Sequence, residues 1–199
     1  GYVNELNPQR EESKKTIEEF GEYHTRLYNE RYLKGTISSY SCTFKHNAIS
    51  TGKLMLCKFN ENYRPIIQNR LECLSKIINC RRENSALLQE MLESEESDLM
   101  SIYHPPTGSV PWRFNILIEN RNVLLRKILN KRIKVSSWFP SVDEFFKDRE
   151  LSGVRSPNSD FLGNMVLNFW IDESIDNEYF EAIASDLRNH LNLLEANYG

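Results

Sequence analysis

"VPWRFNILIENRNVLLRKILNKRIKVSSWFPSV", residues 110–142, reads as two strands about one helix. "WRFNILI" has the β-branched and aromatic content of a strand. Residues 121–132 place Leu124, Leu125, Ile128 and Leu129 on one helical face, and "IKVSSWF" reads as a second strand that Pro140 stops. The reading is a compact β-α-β unit with a basic helix between apolar strands.

Upstream, "HPPTGSVP" (104–111) is the strongest breaker cluster in the chain and marks a boundary between elements. Before it, Pro65 opens a long helical pattern in which Ile67, Leu71, Leu74, Ile78, Leu88 and Leu92 recur at spacings of three, four or their sums. That helix is expected to end within 93–97, and the acidic run there, "ESEES", reads as a solvated helix end or a partner contact. Downstream come the apolar segment "MVLNFWI" and a helix from about residue 176. Tyr179, Phe180, Ile183, Leu187, Leu191 and Leu194 line one side of it, with cap candidates between Asp172 and Asp176. Residues 66–199 thus form a small α+β domain. Ahead of them, 11–20 reads as a charged helix, and 36–42 and 53–59 as two strands separated by a loop. No internal repeat is present.

The chain has 199 residues, of which 40% are hydrophobic and 27% charged, an ordinary globular balance. A formal charge of −3 and a pI near 5.9 provide no global basic field, so nucleic-acid or membrane-surface binding would need a local patch. No run of about 18 apolar residues suggests a membrane span, and the first residues lack a signal-peptide core. Cys42, Cys57, Cys73 and Cys80 form no CxxC pair, and no N-x-S/T sequon occurs, which argues for reduced thiols and a cytoplasmic protein. Cys73 and Cys80 are expected to be buried small residues, and His190 to pack or cap. His24, His104 and His190 lack partners at metal-ligand spacing. A start at Gly1 rather than Met suggests a trimmed chain or a fragment.

In order, these segments resemble the C-terminal part of the DegT/DnrJ/EryC1/StrS family, sugar aminotransferases and dehydratases of the fold-type-I pyridoxal-phosphate architecture. The 110–142 stretch is similar to that family's small-domain strand, its "R-d-x-L-x-x-x-L" helix and its "W-Y-P" turn. "RSPNSDFLGNMVLNFWIDESIDNEYFEAIASDL" resembles the closing run, with Trp170 where Pro is usual, and "CRRENSALLQEML" the helix joining the large and small domains. The resemblance implies an α/β and α+β fold, with 1–65 a remnant of the large cofactor-binding domain and 66–199 the connecting helix and small domain.

It also implies a cofactor site. "GTISSYSCTFKHNAISTGKLM" lies on the family's "S-F-x-x-x-K" strand, which puts Ser41 at the cofactor phosphate and His46, not Lys45, at the Schiff-base position. Only a primary amine condenses with the aldehyde, so His46 there departs from the transaminase pattern. A one-residue slip would restore Lys45 at a bulge, since neighbouring strand residues face opposite ways. Alternatively His46 acts as a base on non-covalently held cofactor, as in some sugar 3-dehydratases, or the site has decayed. A double-glycine turn is replaced by Gly52-Lys53-Leu54. "IEEFGEYH" resembles the family's ring-binding motif, with Glu19 at the Asp position and Glu22 at the Gln/Glu position. Only residues 1–16 precede it, too few for the phosphate-binding helix terminus. The implied function is a truncated or diverged pyridoxal-phosphate-dependent protein related to enzymes of nucleotide-linked keto sugars and an amino donor. It would work as a homodimer or with a complementing chain. The alternative is a non-catalytic interaction domain that kept the fold and lost the cofactor.

One rival reading sets the basic run Arg121, Arg126, Lys127, Lys131, Arg132 and Lys134, with Trp112, Phe114, Trp138 and Phe139, as a nucleic-acid surface. The blander reading is favoured: aromatics on strands facing covering helices, basic residues on the wet face. No nucleic-acid or membrane partner is expected. Arg113 and Trp138 are also near family segments that touch substrate.

Overall fold

The computed structural model describes residues 22, 25–26, 61–137 and 156–198. The helix expected over 11–20 and the strands expected over 36–42 and 53–59 lie outside the described residues. The chain divides into two compact units, Gly1–Glu72 with Asp143–Val154, and Cys73–Val142 with Arg155–Gly199. In the first, a short turn at Glu61–Tyr63 leads into helix α1, Arg64–Glu72, which buries none of its residues. Ile66 and Leu71 are exposed there.

The second unit opens with α2, Leu74–Leu92. The single helix expected from Pro65 is therefore two, because Cys73 has ψ near 3° and leaves the helical well. The N-terminal turns of α2 do not reach the core. Cys73 is exposed and Cys80 half-buried, which corrects the expectation that both are buried. Ser85, Leu88 and Leu92 are the buried residues of α2, which ends where the pattern predicts.

Four strands follow, interleaved with three helices: β1, Met100–Ile102; β2, Phe114–Ile118; α3, Arg121–Asn130; β3, Val135–Ser136; α4, Pro157–Met165; β4, Val166–Phe169; and α5, Asn177–Tyr198. The sheet order is β1-β2-β4-β3, and every neighbouring pair is antiparallel. β2 and β3 therefore run parallel, as a β-α-β unit requires, but β4 lies between them. That insertion is the main departure from the sequence reading.

Period-two alternation sorts the strands into two faces. Phe114, Ile116 and Ile118 of β2, Leu167 and Phe169 of β4, Met100 and Ile102 of β1 and Val135 of β3 are buried. Their partners are helical: Leu124, Leu125 and Ile128 of α3, and Phe180, Ile183, Leu187 and Leu191 of α5, are also buried. Each such side chain contributes about 1.5–3 kcal/mol on leaving water. α5 contacts both α2 and α3. Its start is set by Asp176, whose Oδ1 accepts the backbone N–H of Tyr179 at 3.0 Å, an N-cap bond.

Local polar contacts explain the connections. Asn120, between β2 and α3, has φ +50°, a left-handed position that Asn tolerates better than most side chains. Arg121 begins α3 and is only 2% exposed; its guanidinium donates to the carbonyls of Gly163 at 2.7 Å and Val166 at 3.2 Å. It thereby fastens the end of α4 and the start of β4 to α3. Arg188 of α5 donates to Glu95 at 2.9 Å and to the Met91 carbonyl at 2.8 Å, and Glu96 accepts the Ile102 N–H at 2.8 Å. The acidic run after α2 is thus engaged within the unit. His190 is buried with Nε2 3.0 Å from the Glu119 carbonyl, a packing role as expected.

The basic run is not a uniform wet face. Arg121 is buried, and Lys127 and Lys131 converge on the buried carboxylate of Asp186 in α5, at 3.0 Å and 2.7 Å. No helix among the described residues is long and apolar enough to cross a membrane. Burial pushes the Asp186 pKa up, but the hydrogen bonds and charges of Lys131 and Lys127 outweigh it and hold the carboxyl below its ordinary value. In Asp186→Asn the two ammonium groups face a neutral amide, and stability at neutral pH falls by about 1–2 kcal/mol, screening at the half-exposed lysines limiting the effect. A depressed folded pKa means the contribution is complete above the unfolded value of about 4 and is lost as pH drops through the folded one. Urea melts of both proteins between about pH 2 and 7 should show the gap closing in acid; a gap independent of pH would contradict the pairing.

Candidate functional site

The helices cover one face of the sheet, and the other face carries Ser101, Asn115, Leu117, Ser136, Val166 and Asn168. It forms the floor of a pocket of about 880 Å³ whose rim is the 103–113 segment and Leu162 of α4. All lining residues belong to the second unit. Asn115 and Asn168 stand opposite each other across β2 and β4. Asn168 Nδ2 donates to Asn115 Oδ1 at 2.8 Å, and Ser136 Oγ donates to Asn168 Oδ1 at 3.2 Å. This polar line crosses three strands and fixes the rotamers of both amides.

At one end of the pocket Arg113 lies between two indoles. Its guanidinium carbon is 3.2 Å from the centroid of Trp170 and 4.6 Å from that of Trp112. Burial draws the Arg113 pKa down, while the negative charge of Asp172 works the other way. The group remains a cation, since a guanidinium does not deprotonate in proteins. Trp170 is itself positioned by Tyr179, whose hydroxyl accepts the Trp170 N–H at 2.9 Å and donates to the Lys134 carbonyl at 2.6 Å; burial raises the phenol's pKa. Asp172 accepts from the backbone N–H and hydroxyl of Ser174 at 3.0 and 2.6 Å. Burial alone would raise its pKa, but those bonds, with the charges of Lys134 and Arg81, bring it below the ordinary carboxylate value.

The rim is clamped from α2. Arg81 donates to the Trp112 carbonyl at 2.8 Å, and Arg82 to the carbonyls of Gly108 and Ser109 at 2.7 and 3.3 Å. Pro106 and Ser109 close a tight turn, Ser109 N–H to Pro106 O at 3.1 Å, with Gly108 at φ +85°. Trp112 is 63% exposed on this side, so it does not face the covering helices as its position near β2 had suggested, whereas Phe114 does.

Of the residues that the resemblance assigns to a cofactor, only Glu22 is among the described ones; it is helical and exposed. Glu19, Ser41, Lys45 and His46 lie outside them, as do Trp138 and Phe139. Among the described residues no lysine lines the pocket. Arg113, singled out from the sequence, is in the pocket; Asn115, Asn168, Ser136 and Trp170 were not anticipated there. Their signal was a polar residue inside each apolar strand, "FNILI" and "VLNF", in phase with Arg113.

Comparison with solved structures identifies the architecture. The aminotransferase TlmJ from Streptoalloteichus hindustanus superposes with a TM-score of 0.58 at 15% identity, over 70% of this chain and 38% of its own. PseC of Helicobacter pylori, an aminotransferase involved in the biosynthesis of pseudoaminic acid, gives 0.58 at 9% identity, over 69% and 38%. The chain carries part of an aminotransferase fold. A DegT/DnrJ/EryC1/StrS aminotransferase from Brucella abortus matches with a TM-score of 0.51 at 17% identity, over 62% and 33%. At these identities the likeness speaks for the fold alone, and the chain spans about a third of the length of the enzymes it matches. No protein-family model matches the sequence, and no curated protein matches it either.

The turn at Gly108 supplies a test of the rim. A Cβ there would meet nothing within 4 Å, so Gly108→Ala introduces backbone strain without a clash. Thermal melts should show a loss of about 1 kcal/mol, and a smaller loss for Gly108→Asn. An unchanged melting point for the alanine variant would rule out the left-handed turn.

Proposed function

We propose that the chain is part of a diverged, pyridoxal-phosphate-dependent, aminotransferase-like protein. It acts on, or descends from enzymes acting on, nucleotide-linked keto sugars. The observation that carries this reading is the superposition on TlmJ and PseC across 69–70% of the chain, which supports what the ordered motifs imply. In this reading 1–65 is the end of the large domain and 66–199 the connecting helix and small domain. The site is completed in a homodimer or by a complementing chain.

Pyridoxal phosphate supplies an aldehyde for amine capture and a ring that accepts electrons. By residue type, Ser41 would donate to the phosphate, Glu19 would hold the ring-nitrogen proton and Glu22 would support the ring. Lys45 would provide the primary amine that the aldehyde requires; alternatively His46 would provide a base that moves protons near neutral pH. The alternative, a non-catalytic interaction domain, is favoured by one sequence observation, the imidazole of His46 where the family has its amine.

Titration of the purified chain with pyridoxal phosphate, followed by borohydride reduction and peptide mass mapping, tests the reading. The expected result is saturable binding, with a pyridoxyl mass on Lys45 that Lys45→Ala abolishes. Saturable binding without reduction, weakened about tenfold or more by His46→Ala, assigns the His46 base instead. No binding overturns cofactor retention by this chain alone and leaves either the interaction domain or half of a site that a complementing chain completes.

A further inference from the structure

The pocket on the open face of the sheet has a chemistry of its own, which rests on residues of the second unit and does not depend on the cofactor reading. The Arg113 guanidinium carbon lies over the rings of Trp170 and Trp112, at 3.2 and 4.6 Å. Among the described residues its N–H edge donates to no protein acceptor; Asn115 accepts at Oδ1, and its Nδ2 likewise donates to none. Positions 113, 115 and 117 are two apart along one strand direction, so the guanidinium, the amide and the Leu117 side chain share a face. Two fixed donor groups beside an apolar floor are what an anion on a flat apolar body requires.

The charge count narrows the ligand. Asp172 and Arg81 both act on Arg113, the first offsetting its charge and the second adding to it. Arg81 is committed to the Trp112 carbonyl. Among the described residues Arg113 is the one charged residue that lines the pocket, and its single positive charge matches a carboxylate and under-neutralises a phosphate that carries nearly two. Trp112 and Tyr103, both more than half exposed, offer ring faces, and Leu117 and Val166 an apolar floor. A volume of about 880 Å³ is within the range of small-molecule sites.

The geometry points to this pocket as a binding site for a small aromatic monocarboxylate, its carboxylate held bidentately by Arg113 with Asn115 as second donor and its ring on Trp112. Calorimetric titration of the full chain with 2-naphthoate and with 3-phenylpropionate tests it, with 2-naphthamide and inorganic phosphate as comparison probes. At least one acid should bind saturably with a Kd below about 1 mM, and 2-naphthamide at least about tenfold more weakly than 2-naphthoate, the loss expected when a charge-assisted pair becomes neutral. Arg113→Gln should weaken acid binding by the same factor. If that variant does not fold, the wild-type protein still decides, through shifts of the Arg113 Nε–H and Asn115 side-chain amide resonances on adding the acid. Equal binding of acid and amide, phosphate binding as tight as the acids, shifts that spare both side chains, a folded Arg113→Gln with unchanged affinity, or no saturation by either acid each overturns the proposal.

Discussion

The buried guanidinium of Arg121 fixes where β4 lies. It is the first residue of α3, and its two bonds reach 42 and 45 residues along the chain to the carbonyls of Gly163 and Val166, where α4 ends and β4 begins. Bonds from its two terminal nitrogens offset part of the cost of burying the charge, so losing either carbonyl partner is costly. From there "VLNF" runs between β2 and β3. Strand pairing then does the rest, with Phe114 opposite Phe169 and Ser136 opposite Asn168.

That insertion separates the two faces of the sheet by chemistry. On one, Phe169 and Leu167 join the buried residues of β2 beneath α3 and α5. On the other, Asn168 meets Asn115 and Ser136, and Trp170, just beyond β4, comes over Arg113 just before β2. Only two pairs of these residues are close in sequence, Arg113 with Asn115 and Asn168 with Trp170. The pocket is therefore a product of topology, and Trp170 lines it beside Arg113.

Much of this was legible in the sequence where periodicity is long and strong. β2, α3 and α5 were readable because apolar residues recur at strand or helix spacing over many positions, and the cap of α5 was narrowed to candidates between Asp172 and Asp176, of which Asp176 makes the bond. β1 was missed because a three-residue strand after an acidic run carries no pattern; only the burial of Met100 and Ile102 reveals it. α4, "PNSDFLGNM", was missed because Asn, Ser, Asp and Gly are weak helix formers, although Pro in the first turn was a start signal. Strand order was not readable at all, since it is set by contacts between residues far apart in the chain, such as those of Arg121, and not by local propensity. The burial of Arg121 and Asp186 was hidden for the same reason: charged residues read as solvent-facing until a partner elsewhere in the chain is known.

The most direct test is native-state hydrogen exchange at the amides of β4. A strand bonded on both sides opens only with the larger unit, so amides that face either neighbour exchange slowly. The account predicts that protected amides in Leu167–Phe169 exchange as slowly as those of Ile116 in β2, and that Arg121→Met accelerates the β4 set. Exchange in β4 as fast as at a sheet edge, with β3 and β2 protecting each other instead, would contradict it.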